Sequence, residues 1–147
     1  MKVVIQKVKR SSVTVDNKLV NKIDKGLCIL VGFTYGDNIE DIKYMVNKVI
    51  NLRVFDDENH VMNKSILDVF GSILLISQFT LYADTKKGNR PSYIKALKSE
   101  EAIPLYEEFI RLLKEHVEVK TGIFGENMQV EIVNDGPTTI IIDSKNK

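Results

Sequence analysis

A mixed α/β fold, with a strongly curved, barrel-like β-sheet and two main helices in one domain over residues 1–147, is what three observations indicate together. Strand-like segments open and close the chain, two amphipathic helix patterns lie between them, and a short β-branched apolar run precedes each helix. The 147 residues, 44% hydrophobic and 28% charged, suffice for one core and not for two.

Residues 3–8 are β-rich, Val13 and Val15 alternate with Thr14, and Asp16-Asn17 forms a turn before Leu19 and Val20, so the chain should begin with a hairpin. After Gly26 the run LCILVGF reads as a strand buried on both faces. Asp37-x-x-Glu40 has the form of a capping box, and Ile39, Ile42, Val46, Val49 and Ile50 recur at helical spacing, which predicts a helix from Ile39 to about Leu52. The polar stretch FDDENHVMNKS is turn-like, and residues 72–78 (SILLISQ) form a second buried strand that ends abruptly in polar side chains.

From Ser99, a cap candidate, Tyr106, Phe109, Ile110, Leu113 and Val117 mark a second helix, in which Pro104 is tolerable only near the first turn. Glu100, Glu101, Glu107 and Glu108 occupy its outer face. Met128, Val130 and Ile132 then alternate with polar residues, Asn134-Asp-Gly-Pro137 reads as a turn, and residues 138–142 close the chain as a strand.

Composition narrows the chemistry. A net charge of +1, from 21 basic and 20 acidic residues, excludes a histone-like tail and an acidic disordered chain. One cysteine, Cys28, forms no internal disulfide, and lysines interrupt the amino end where a signal peptide is apolar, so a reducing cytoplasm is expected. The longest apolar run, Leu27 to Val31, is far below the roughly 20 residues a membrane span needs. His60, His116 and Cys28 lack zinc-ligand spacing, and GxSxG, GxGxxG and GxxxxGK[ST] motifs are absent, so neither metal nor cofactor is expected.

Four constellations carry chemistry. Ser77-Gln78-Phe79-Thr80 places two hydroxyls, a carboxamide and an aromatic ring at the end of a buried strand; unpaired, each polar group costs roughly 1–3 kcal/mol, so each bonds either to the fold or to a ligand. No base for a Thr80 nucleophile lies nearby in sequence. Asn134-Asp135-Gly136-Pro137-Thr138 is a hairpin turn or, if the X-Pro bond is cis, a wall on which two aligned carbonyls grip an ammonium group. Residues 86–98 carry five bases and no acid, and residues 1–25 seven bases against two acids. Such one-sided runs, with Tyr82 and Tyr93 close by, are solvated lysines or a phosphate-binding surface. Phe124, between Gly122 and Gly125, is a core ring or a stacking platform for a base.

Taken together, Ser77-Gln-Phe-Thr80, Lys87-Gly-Asn-Arg-Pro-Ser92, residues 121–125 (TGIFG) with Met128, and Asn134-Asp-Gly-Pro-Thr138 resemble the D-aminoacyl-tRNA deacylase family, and the likeness runs from Met1 through Asp143. The resemblance implies a cytoplasmic homodimer that hydrolyses the ester joining a D-amino acid, or mischarged glycine, to the 3′ end of tRNA. It implies that Ser77, Gln78, Phe79 and Thr80 line the ester and that Phe124 and Met128 flank the terminal adenosine. It also implies that a cis Gly136-Pro137 enters the partner subunit's pocket to exclude L-amino acids. Lys7 stands where the family often has arginine, whose planar fork is not equivalent to a point charge. By the same likeness the ribose 2′-hydroxyl assists hydrolysis, an older view making the threonine a nucleophile. The alternatives are a same-fold deacylase acting on an L-amino acid, with a trans Gly136-Pro137 bond, and a non-catalytic module that binds tRNA ends.

Overall fold

Apolar residues at alternate positions from Val3 onward, and the turn chemistry of Asp16-Asn17, generate the spine of the molecule. In the computed structural model, which describes residues 1–147, β1 (Lys2–Val15) pairs with β2 (Lys18–Ile23) through that turn. Asp16 and Asn17 adopt φ of 48° and 61°, the left-handed pair that a tight hairpin requires. The amino-terminal half of β1 pairs antiparallel with β3 (Gly26–Gly32), from Lys2 opposite Gly32 to Val8 opposite Gly26.

β3 is followed by α1 (Ile39–Asn51), a small hairpin of β4 (Phe55–Asp56) and β5 (Met62–Lys64), and then β6 (Ser72–Ser77), which lies parallel to β3. One 3₁₀ turn (Phe79–Tyr82) and a long connection lead to α2 (Ser99–Lys114) and β7 (Glu118–Thr121), parallel to β6. β8 (Gln129–Asp143) returns along the whole free edge of β1. Ser72 carbonyl oxygen would lie 1.8 Å from a Cβ at Gly26, so the start of the parallel pair depends on that glycine.

Both faces of the central strands are covered, as the apolar runs predict. Val3, Ile5, Leu27, Ile29, Ile73 and Leu75 face the stripes of α1 and α2. Val8, Val13, Ile23, Cys28, Leu74 and Ile76 form a second core on the other face. That core exists because the sheet curls: Asn21 Nδ2 donates to the Thr121 carbonyl at 2.6 Å and Lys120 Nζ to the Lys22 carbonyl at 3.1 Å, drawing β2 onto β7. The mixed sheet is therefore nearly a barrel. Toward the start of β1 the same face is left open: Ile141 is 69% exposed, beside the half-buried Val4 and Leu30.

Several elements differ from expectation. Asn134–Pro137 is a bulge within one continuous strand and not a turn between two. Val8 faces Asn134 and Gln6 faces Thr139, so four residues of β8 stand opposite Lys7 alone. Asn134 closes the bulge, accepting from the Thr138 N–H at 3.2 Å and donating to Thr139 Oγ1 at 3.0 Å.

The box that caps α1 is Asn38 with Asp41, one residue later than the sequence pattern suggested. Asp37 is engaged elsewhere, with the Met1 ammonium at 2.6 Å and the Thr34 N–H at 2.8 Å. Ser99 is the first residue of α2 rather than its cap, which leaves Pro104 in the second turn.

Candidate functional site

β6 outlasts β7. Their pairing ends at Leu75 and Thr121, and past that point the outer edge of β6 has no neighbouring strand. The Leu75 carbonyl at this frontier is met by the buried Tyr106 hydroxyl of α2. Beyond it, Ser77 and Gln78 run along a cleft of about 580 Å³. One wall comes from the ends of β3 and β6, a second from residues 124–130, and a third from residues 93–102, which include the start of α2. The cleft thus lies at the carboxyl ends of parallel strands, where connections diverge and leave room for a ligand.

Ser77, Gln78 and Phe79 line this cleft, and Phe124 and Met128 line it from the facing segment. Five of the residues singled out in the sequence therefore converge from positions up to 51 apart in the chain. Thr80 stands just behind them, its hydroxyl accepting a hydrogen bond from the Gln78 carboxamide. This bond holds the Gln78 side chain back against the 3₁₀ turn. The first N–H groups of that turn, at Phe79 and Thr80, have no partner within it, as at any helix start.

Gly136 and Pro137 do not line the cleft of their own chain. Their bulge sits opposite Lys7, five positions along β1 from the Lys2–Gly32 pair at the cleft end, roughly 16 Å away along the strand. Both residues are exposed, the peptide bond between them is cis, and Lys7 beneath them is buried.

The rest of the cleft was not assigned from the sequence, although Tyr93 and Lys98 stood out there as part of a basic, aromatic run. Gly32 is required there because a Cβ would lie 2.7 Å from the Gln78 carbonyl. Tyr93, immediately after Arg90-Pro-Ser92, packs edge-to-face on Phe79 with centroids 5.1 Å apart and planes at 70°. Lys98 and Ser99 bring the amino terminus of α2, which has no side-chain cap, to the rim, where its dipole favours negative charge. The Arg-Pro-Ser motif next to Tyr93 was the available signal for this wall.

Phe124 rests on Tyr106 at 5.4 Å between centroids, so the cleft wall is braced from the core. Burial pushes the Tyr106 hydroxyl well above the ordinary tyrosine range, which keeps it a neutral donor. Neither histidine borders the cleft: His60 is in the β4–β5 turn, and His116 follows α2 at the opposite end of the sheet. No three His, Cys, Asp or Glu side chains converge anywhere in a manner that would hold a metal ion. No helix is long and apolar enough to cross a membrane.

Of the basic runs, residues 86–98 form the arm and rim beside the cleft, where Lys95 is paired with Asp84 at 3.1 Å. The amino-terminal bases are scattered: Lys7 is buried, Lys2 covers the Tyr82 ring at 4.8 Å, and Lys25 lies over Phe55 at 5.8 Å.

Comparison with known proteins adds a further set of observations. The model of the family described as D-Tyr-tRNA(Tyr) deacylase matches residues 4–143. A D-aminoacyl-tRNA deacylase of Flavobacterium psychrophilum is 60% identical, covering 100% of this chain and 99% of its own. One from Clostridium novyi is 56% identical over 99% of this chain and 98% of its own. Among solved structures, the c-Myc DNA Unwinding Element Binding Protein superposes with a TM-score of 0.93 at 41% identity, covering 97% of this chain and 98% of that one. A probable eukaryotic D-amino acid tRNA deacylase superposes at 0.81 with 16% identity, over 96% and 97% of the two chains, a likeness of fold.

Proposed function

The chain belongs to the D-Tyr-tRNA(Tyr) deacylase family, whose members are hydrolases, and from that premise we propose that it cleaves the ester between a D-amino acid and the 3′ end of tRNA, and clears glycine mischarged on tRNA. The observation that carries the reading is the convergence of Ser77, Gln78, Phe79, Phe124 and Met128 on one cleft beside a cationic arm.

In this reading Phe124 and Met128 flank the terminal adenosine, and the ester lies along Ser77–Thr80. Hydrolysis adds water to the ester carbonyl, and the tetrahedral oxyanion that forms collapses to free amino acid and the ribose hydroxyl. The neighbouring 2′-hydroxyl of the substrate is held beside the carbonyl and assists the attack, which needs orientation more than a titratable side chain. Main-chain N–H groups at the start of the Phe79–Tyr82 turn are the donors for the oxyanion, and losing one such donor typically lowers rate by ~10²–10³. Thr80, engaged by Gln78 and with no imidazole near it, acts as a positioning residue.

Chirality is judged, in the same proposal, by a second copy. The open face with Val4, Leu30 and Ile141 adjoins the exposed Gly136 and Pro137, and its apolar side chains call for a cover. Two copies joined across these faces let each bulge enter the other's cleft, where main-chain oxygens receive the α-ammonium of a D-amino acid and leave no room for an L side chain. Lys7, buried beneath the bulge, supports it from below.

The test is hydrolysis of D-tyrosyl-, L-tyrosyl- and glycyl-tRNA by the purified protein, alongside its mass in solution. Release of D-tyrosine and glycine with L-tyrosyl-tRNA spared, by a dimer, is expected. Equal turnover of both enantiomers refutes the chiral claim, and RNA binding without turnover refutes catalysis.

A further inference from the structure

We propose that the turn Ser92–Leu97 forms a second subsite at the mouth of the cleft, in which Tyr93 and Ile94 receive the base of the nucleotide preceding the terminal adenosine. The inference rests on the reading of the cleft as the seat of an aminoacylated RNA end.

Tyr93 lines the cleft and is 41% exposed, while Ile94, next in the chain, lies outside the cleft and is 80% exposed. Together with Phe79, 56% exposed, they leave an apolar rim facing water where a soluble protein ordinarily presents polar side chains. The rim is rigid. Asp84 and Ser92 exchange backbone hydrogen bonds at 2.8 and 2.9 Å, and the Lys95 ammonium reaches Asp84. The Ala96 N–H closes the turn on the Tyr93 carbonyl at 3.0 Å. Thr34 Oγ1 donates to the Lys95 carbonyl at 2.6 Å, and the Leu97 N–H to the Phe33 carbonyl at 2.9 Å, fastening the turn to the end of β3.

A backbone fastened in this way carries Tyr93 and Ile94 at set positions on the rim before a ligand arrives, so little main-chain entropy is lost on binding. Phe79 braces the Tyr93 ring edge-to-face. The charges around the turn identify the ligand's chemistry. Lys86, Lys87 and Arg90 on the preceding arm and Lys98 after the turn have no carboxylate partner, and Lys95 alone is spent on Asp84. Aromatic and apolar faces beside such a row of cations suit single-stranded nucleic acid, whose bases stack while its phosphates follow the positive track. A strand whose last base lies between Phe124 and Met128 must leave the cleft across a rim, and Tyr93 followed by Ile94 forms an outward step on that rim.

Two substrates separate this subsite from the cleft: D-tyrosyl-tRNA, and D-tyrosyl-adenosine, which carries the same ester with no preceding nucleotide. For Tyr93→Ala, the ratio of KM for the tRNA to KM for the adenosine ester should rise about 10-fold. The rise should be smaller for Ile94→Ser and absent for Tyr93→Phe, with kcat on tRNA moving less than KM. An unchanged ratio in both Tyr93→Ala and Ile94→Ser overturns the subsite while the deacylase reading stands, provided the parent protein cleaves both esters. A parent that cleaves neither ester overturns both, and where only the tRNA is cleaved an unchanged KM for tRNA in Tyr93→Ala overturns the subsite alone.

Discussion

The Tyr106 hydroxyl donates a buried hydrogen bond of 3.0 Å to the Leu75 carbonyl, at the residue where β6 loses its outer neighbour. The same ring supports Phe124 in the cleft wall. Tyr106→Phe keeps the ring and strands a buried carbonyl, so it should cost about 1–3 kcal/mol in denaturant unfolding with KM held near the parent value. Tyr106→Ala removes the brace as well and should raise KM in addition to lowering stability by about 3–5 kcal/mol.

Thr80 tests the chemistry. If the hydroxyl only positions the Gln78 side chain, Thr80→Ala should retain turnover within about 10-fold, a small fraction of what loss of a nucleophile costs. Single-turnover hydrolysis of D-tyrosyl-tRNA measures it. A loss beyond about 10⁴-fold in a folded, tRNA-binding variant restores the nucleophile.

Gly136 has φ of 122°, and a Cβ there would lie 2.6 Å from Thr138 Oγ1. Gly136→Ala must therefore reshape the bulge, at about 1–3 kcal/mol of backbone strain. Its expected signature is a fall in the ratio of D- to L-tyrosyl-tRNA turnover that exceeds any fall in D turnover. Equal losses on both would sever the bulge from discrimination.

Charge reversal on the arm, Lys86→Glu with Lys87→Glu, changes exposed groups remote from the core. Titration of tRNA binding against salt should show a shallower log–log slope, by up to about one unit for each phosphate contact removed, with Tm unchanged.

Acid stability has its own signature. Burial works against the Asp41 carboxylate, but hydrogen bonds from Lys145, Ser144 and the Asn38 N–H outweigh it and hold the carboxyl below the usual range. A lowered folded value means stability fully present above the ordinary carboxylate pKa of about 3.9 and lost as pH falls through the folded value. Lys145 is raised, chiefly by its hydrogen bond to Asp41, so its share is present below about 10.4 and lost as pH rises through its folded value. Thermal melts of Asp41→Asn should lie below the parent at pH 6–8, and the gap should begin to close only as pH falls below about 4.

What the sequence made legible was whatever periodicity or turn chemistry specifies locally. The Asp16-Asn17 hairpin, both helices and the two doubly buried strands needed no distant partner to be recognised. The strand β7 was missed because Glu118-Val-Lys-Thr121 is a short edge segment with a single buried side chain, and its place is set by β6. Asp37 lost the capping role to Asp41 and Asn38 because the Met1 ammonium, 36 residues away, claims it. The Asn134–Pro137 segment has the composition of a hairpin turn, yet pairing with β1 continues on both sides and makes it a bulge. The strand-end motif and Phe124 were legible as chemistry, but Tyr93 and Lys98 join them only through the fold.

β1 pairs with β2, β3 and β8, and every residue along it except Lys9 stands in register with at least one neighbour. Inserting or deleting one position would turn Val3 and Ile5 from oil to water and carry Lys7 out from under its bulge. The arm at 85–91 and the tip of the β4–β5 hairpin answer to no such constraint. Length variation in molecules built on this plan belongs at those two tips, while the first fifteen residues behave as a fixed gauge.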